Sequence, residues 1–265
     1  MTYEDLLLEK EDGIITITLN NPEKLNAITA KMRVNLPLVV DEIAKDDKVR
    51  VVIITGAGRG FCSGADVNWQ AARISEKPTG VSRHTLLQAP GSFVTIFPKL
   101  NKPVIAAVNG VATGAGFGIA LACDIRIAST TAKFGALQMA RALLPGAGLT
   151  HFLPNIVGPS KALEIFFTGE LTSAEEAERL GIVSRVVPPD ELMKVTRELA
   201  AKIVQQAPIP VELTKKIVWS GLFDNLSRQL ELETGYQRIC QPSEDHRESV
   251  RAFLEKRPPP QFKGR

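Results

Sequence analysis

The sequence predicts a mixed α/β chain, with an α/β core over residues 1–195 and a helical arm over residues 196–265. Three observations carry this. Short β-branched runs alternate with helical patterns through the first half. Two of those runs, Val49 to Thr55 and Val104 to Val108, each lead into a glycine-bearing turn. From Asp190 onward the pattern is helical, interrupted only by proline and glycine. The 265 residues suffice for one large or two small domains. Apolar residues make up 44% and charged residues 23%, a balance that excludes a disordered or collagen-like chain. A net charge of +3 is too small to predict a nucleic-acid partner. The three cysteines (Cys62, Cys123, Cys240) are odd in number, widely spaced and without a CxxC pair, which predicts a reduced, cytoplasmic setting. The acidic start, Met1 to Asp5, is the reverse of a secretory signal.

Ile14 to Leu19 is rich in β-branched residues and stops at Asn20-Asn21-Pro22, so it reads as a strand ending in a turn. Thr29 caps a helix expected to run to about Lys45, with a kink or break at Pro37. Val49 to Thr55 is a buried strand closed by Gly56. Gly56, Gly58, Gly60 and Gly64 then crowd one short loop whose backbone, rather than side chains, faces something. Residues 70–83 are polar and read as an excursion, and a helix is expected over 84–98. Val104 to Cys123 is twenty residues without a charge, long enough to span a bilayer. Its four glycines instead predict a buried strand, a glycine turn and a buried helix. Asp124 to Ala128 starts another strand.

In the second half, Thr172-Ser173-Ala174-Glu175 reads as a capping box whose helix ends at Gly181. Val183 to Val187 is a short strand stopped by Pro188-Pro189. Breaks are expected at Pro208, Pro210, Gly221 and Pro242-Ser243, and the tail from Arg257 to Pro260 cannot be helical.

The chemistry points to the two turns, Gly60-Phe61-Cys62-Ser63-Gly64-Ala65-Asp66 and Asn109-Gly110-Val111-Ala112-Thr113-Gly114-Ala115-Gly116. The first N–H groups of a helix have no internal acceptor and carry positive potential. Two such turns side by side aim two donors at one oxygen, as in an oxyanion hole; close helix–strand packing is the alternative use of the glycines. The sequence has no GxxxxGK[ST], no GxSxG elbow and no close histidine pair for a metal. His84 and His151 read as ordinary polar residues, and Cys62 as a small buried side chain. Trp69 and Phe93 fit either an aromatic ligand pocket or the core, and Tyr236 fits core or interface packing.

Taken in order, these segments resemble the enoyl-CoA hydratase/isomerase (crotonase) superfamily over nearly the whole chain. The matching pieces begin with Asn21 to Ala27, Gly60 to Asp66 and Lys102 to Gly110. The glycine turn through Cys123-Asp124, Phe134-Gly135 and Pro145 to Gly148 follow, then Leu180 to Val183 and Ala252 to Pro258. The resemblance implies a ClpP/crotonase-like spiral of ββα units whose carboxyl-terminal helical arm builds a homotrimer, often paired into a hexamer. It implies an acyl-CoA substrate, with coenzyme A entering as part of that substrate and no resident cofactor, metal, nucleic acid or membrane. The thioester oxygen would sit between the N–H groups of Ala65 and Ala115. Ala65, Asp66, Val67 and Asn68 would line the pantetheine and acyl chain, Lys24 would meet the nucleotide, and Phe253 and Lys256 would reach a neighbouring subunit's CoA.

The usual homes of the catalytic carboxylates correspond to Gly118, Gln138 and, in isomerase-like branches, Gly146. Gln138 can orient a water or a thioester but cannot exchange a proton near neutral pH. Asp66, His84 and Tyr236 are the acid–base candidates, followed by Glu164 and His151. Three readings follow: a hydratase/isomerase with an altered acid–base set; an enolate-forming lyase, decarboxylase or hydrolase; or an acyl-CoA binder without turnover.

Overall fold

The computed structural model describes residues 3–66, 93–138 and 145–222, with short pieces between 243 and 265. Among the described residues, ten strands form two sheets. In chain order they are β1 (Leu6–Glu11), β2 (Ile14–Leu19), β3 (Val51–Gly56), β4 (Gly60–Cys62), β5 (Val104–Val108), β6 (Val111–Thr113), β7 (Ile125–Ser129), β8 (Lys133–Gly135), β9 (Thr172–Ser173) and β10 (Arg185–Val187). The larger sheet runs β1-β2-β3-β5-β7-β10 and the smaller β4-β6-β8-β9. From β3 onward the chain steps from one sheet to the other: β3 to β4, β5 to β6, β7 to β8. This stepping is the spiral, and it stacks the starts of successive turns beside one another. Within the larger sheet β2, β3, β5, β7 and β10 are parallel, with Ile14 opposite Val51, Val52 opposite Val104 and Ile105 opposite Ile125.

The helices are α1 (Ala30–Lys45), α2 (Ile96–Lys99), α3 (Ala115–Ala122), α4 (Leu149–Val157), α5 (Pro159–Thr168), α6 (Ala174–Arg179), α7 (Leu192–Val204) and α8 (Pro208–Gly221). Thr29 caps α1 by accepting from Met32 N. Contrary to expectation, Pro37 does not interrupt it. Met32, Leu36, Val39, Val40 and Ile43 are buried on both sides of the proline. Burying several such side chains, each worth about 1.5–3 kcal/mol, outweighs a helix-interior proline at about 3 kcal/mol. The capping frame also shifts by one residue: Ser173, not Thr172, accepts from Glu176 N, because Ser173 as well as Thr172 is paired with β8 and the helix starts only after it. Gly181 then follows the helix at φ +76°, as the glycine signal predicts. Pro208 opens α8 at its first position, and Pro210 sits in the same turn without breaking it.

The main core lies between the two sheets and α1, α3 and α4, and contains Ile17, Met32, Leu36, Ile54, Phe61, Phe97, Phe117 and Phe134. The other face of the larger sheet carries Ile14, Val51, Ile53, Ile105, Ala107 and Ile127 under Leu192 and Ala200 of α7. A parallel sheet covered on both faces explains why β3 reads as one unbroken apolar run. The boundary expected at residue 195 falls inside α7. Among the described residues, no helix is long and apolar enough to cross a membrane. Residues 104–123 are the strand, glycine turn and buried helix expected of them, with β6 added between the first two.

Two buried lysines tie distant segments together. Lys102 donates its ammonium to the carbonyls of Ile43 and Asp46 at the end of α1. Lys215 of α8 donates to the carbonyls of Phe97 and Lys102, each at 2.8 Å. It also pairs with Asp124 at 2.9 Å. Asp124 in turn accepts from Val104 N and from Trp219 Nε1, both at 2.6 Å.

Candidate active site

The site is assembled from the ends of β4 and β6. After β4, Gly64 takes φ +99°, a backbone conformation that favours glycine. Ile28 N donates to Gly64 O at 2.7 Å and Asp66 N donates to Ile28 O at 3.2 Å, which makes Ala65 a parallel bridge partner of Ile28. In that geometry the carbonyl before Ala65 and the amide after it bond toward Ile28, so Ala65's own N–H points to the opposite side. After β6, Gly114 (φ +53°) spends its N–H on Gly135 O at 2.9 Å. Ala115 then opens α3 as its first residue, where an N–H has no acceptor within the helix.

The two turns touch. A Cβ on Gly64 would lie 3.0 Å from Thr113 O and 3.3 Å from Ala115 N. A Cβ on Gly116 would lie 2.0 Å from Cys62 O. The Thr113 hydroxyl donates to Ser63 O at 3.0 Å, a direct hydrogen bond from one turn to the other. These glycines therefore serve close backbone approach, and that approach brings the amide of Ala115 against the turn that carries Ala65.

Gln138 lies three residues beyond β8. Its Nε2 is 3.7 Å from where a Cβ on Gly114 would be. Its Oε1 is buried and, among the described residues, has no hydrogen-bond partner. Gly118 has no room for a side chain. A Cβ there would lie 2.3 Å from Ala147 O, and Ala147 itself sits at φ +56°. Gly146 is the opposite case: among the described residues, no atom lies within 4 Å of a Cβ built on it.

Asp66 is buried beside the first turn, its side chain 12% exposed, and Lys24, 47% exposed, reaches it at 2.9 Å. Two residues expected in separate roles thus face each other at one edge of the site. Cys62 is fully buried behind the turns, and burial pushes its thiol up to about 12, so it holds no thiolate at neutral pH. Glu164 is on the exposed side of α5, paired with Lys161 at 2.7 Å. His151 is on α4, its ring 5.5 Å from that of Phe152. Val67, Asn68, Trp69, His84, Tyr236, Phe253 and Lys256 lie outside the described residues, as does the side chain of Phe93.

A profile of the enoyl-CoA hydratase/isomerase family matches residues 9–265. The chain belongs to that family. It is accordingly an acyl-CoA enzyme of the hydratase/isomerase group. It is 38% identical to the short-chain-enoyl-CoA hydratase of Clostridium acetobutylicum over 266 residues, covering 100% of both chains. It is also 38% identical to the 1,2-epoxyphenylacetyl-CoA isomerase of Escherichia coli K12 over 265 residues, covering 99% of each. A crystal structure of the enoyl-CoA hydratase from Bacillus anthracis superposes with a TM-score of 0.89 at 34% identity, covering 99% of this chain and 100% of that one. One relative is named a hydratase and the other an isomerase at equal identity, so overall likeness does not choose between the two reactions.

Within the family frame, three contributions were not assigned from sequence. Thr113 links the turns, Ala147 fills the space beside Gly118, and Asn26 and Asn109 bind the loop that precedes β4. The only sequence signal was Asn109-Gly110, a polar residue before glycine at the end of an apolar strand, which marks a turn but not its partners.

Proposed function

We propose that the amides of Ala65 and Ala115 hold the thioester oxygen of an acyl-CoA, and that the enzyme hydrates an enoyl-CoA or moves its double bond through the thioester enolate. The observation that carries this reading is the wedge of Gly64: a Cβ there would lie 3.3 Å from Ala115 N, beside a backbone whose Ala65 N–H faces away from Ile28. A thioester oxygen that gains negative charge is stabilised by donors fixed in advance, and losing one such donor costs about 10²–10³ in rate. Polarising that oxygen acidifies the α-carbon, which is what hydration and double-bond migration share.

Lys24, Asp66, Val67 and Asn68 would line the CoA path, and Phe253 and Lys256 would reach a neighbouring subunit's CoA in a homotrimer or hexamer. The Lys24–Asp66 pair stands at the edge of the turn, where a nucleotide phosphate would compete for the ammonium. Coenzyme A enters only as part of the substrate. The Gln138 amide would orient a water or the thioester from beside Gly114.

A second reading is favoured by the packing at position 118. Ala147 O occupies the space of a side chain there, and Gln138 is an amide. With neither supplying a base, an enolate formed by losing CO₂ or another leaving group would need only the two donors. The third reading is acyl-CoA binding without turnover.

Crotonyl-CoA, a 3-enoyl-CoA and methylmalonyl-CoA, each incubated with the purified enzyme, separate the readings. Turnover of either unsaturated thioester supports the first. Turnover of methylmalonyl-CoA alone replaces it with the second, and tight CoA binding with no turnover replaces it with the third.

A further inference from the structure

The two strands that lead to the proposed donors pair with each other at few positions. β4 and β6 are three residues each. Only two positions pair, Gly60 with Val111 and Cys62 with Ala112, and the register slips between them. One residue of slippage displaces a strand by about 3.3 Å, more than the reach of a hydrogen bond. The Thr113–Ser63 hydrogen bond and the Ile28 bridge hold the turns after these strands, and the loop that enters β4 needs a fixing of its own.

Asn109 stands just before β6, and its carboxamide spans the loop that enters β4. The two Nδ2 hydrogens are shared among Gly56 O at 2.9 Å, Gly58 O at 2.8 Å and Gly60 O at 3.1 Å. Oδ1 accepts from Gly56 N at 3.2 Å. The backbone carbonyl of Asn109 is held from β7 and the turn after it by the hydroxyls of Ser129 and Thr131, both at 3.3 Å. Asn26 grips the same loop from the other side, donating to Gly60 O at 2.7 Å and Ala57 O at 2.9 Å. Asn26 is fully buried at φ +56°, and its Oδ1 accepts from Asn21 N at 2.9 Å. Gly60 O, the first carbonyl of β4, is thus shared by two carboxamides. The loop between is wound without slack. A Cβ on Gly56 would lie 2.2 Å from Gly60 O, and one on Gly110 would lie 2.1 Å from Arg59 O.

We propose that Asn109, supported by Asn26, is a positioning residue for the reaction: its carboxamide sets the register of β4 on β6 and so the gap between the two main-chain donors. This rests on the reading of Ala65 and Ala115 as those donors. The side chain bonds main-chain groups of the loop and acts through that backbone. An aspartate of the same shape loses the Nδ2 donor and turns a negative charge on three carbonyls. A serine keeps a hydroxyl but is too short to span Gly56 to Gly60.

The test uses bound cinnamoyl-CoA, a conjugated thioester whose absorbance moves to longer wavelength when its carbonyl oxygen is polarised. Wild type, Asn109→Ser, Asn109→Asp and Asn26→Ser are compared for this shift, for Kd and for kcat and KM. Lys215→Met is included as a destabilised control far from the loop. Misplacing a donor by part of an ångström costs about tenfold to a hundredfold in rate. We expect the Asn109 variants to lose most of the wavelength shift and that factor in kcat, with Kd and KM within about threefold, and Asn26→Ser to lose less. Lys215→Met keeps the full shift. If an Asn109 variant retains the wild-type shift and kcat, the positioning role is wrong although the donors stand. If wild type itself shows no shift, the donor reading fails and this proposal with it. Should both Asn109 variants fail to fold, Asn26→Ser decides by the same two readouts.

Discussion

Gly64→Ala inserts one methyl group into the wedge between the proposed donors. The new carbon would meet Thr113 O at 3.0 Å and Ala115 N at 3.3 Å. Both are main-chain atoms at the junction of β6 and α3, so no side chain can swing away. Restoring ordinary contact with Thr113 O requires the two turns to part by about 0.4 Å. A hydrogen bond made at about 2.9 Å would then stretch to about 3.3 Å, past its usual range. The residue must also hold φ +99° with a Cβ, a strain of about 1–3 kcal/mol. We therefore expect kcat to fall by about 10²–10³ with KM changed far less. The melting temperature should fall by about 2–10 °C from the strain alone. Steady-state kinetics on the best of the three thioesters, with thermal melting in parallel, reads both. Full kcat in a variant that shows the expected melting loss would refute the reasoning, since the gap would have widened without effect on the chemistry.

Gln138→Glu replaces the amide by a carboxylate of nearly the same shape. It should raise crotonyl-CoA hydration by about 10²-fold, the lower end of a general-base contribution, measured as loss of the enoyl absorbance. Gly118→Glu should give no comparable gain, because its Cβ would strike Ala147 O; soluble yield and melting temperature should drop instead. Asp124→Asn leaves Lys215 buried without its carboxylate, a loss of about 3–5 kcal/mol visible in denaturant titration. Cys62 and Cys123 should resist alkylation at pH 8 in the native enzyme and react once denaturant is added. Burial raises both thiols, Cys62 to about 12, so the thiolate is absent at that pH; peptide mapping of the labelled enzyme checks it.

The parts of this molecule that the sequence announces are those whose cause is local. The apolar runs of β2, β3 and β5, the Thr29 cap and Gly181 each satisfy a rule spanning a few residues. The glycine turns were visible for the same reason. What stayed hidden depends on partners far along the chain. β4, β6 and β8 are three residues each, too short for an alternation to show, and exist because they pair with one another. The helices α4 and α5, over Leu149 to Thr168, carry no strong start signal beyond glycine and proline. The capping box expected at Thr172 starts one residue later because both Thr172 and Ser173 pair with β8, a partner nearly forty residues away. In the site, the crowding of glycines and the substitution at Gln138 were legible. The reason Gly118 lacks room for a side chain was not, since Ala147 approaches it from 29 residues away.

The lysine pair at positions 102 and 215 bears on how the fold comes apart. Lys215 reaches carbonyls on either side of the entry to β5, and Lys102 passes the connection on to the far end of α1. Releasing α8 hydrates the Lys215 ammonium but leaves the carbonyls of Phe97 and Lys102 and the carboxylate of Asp124 without that partner. Asp124 also holds the first amide of β5, so detachment of α8 is felt at the strand that leads into the second glycine turn.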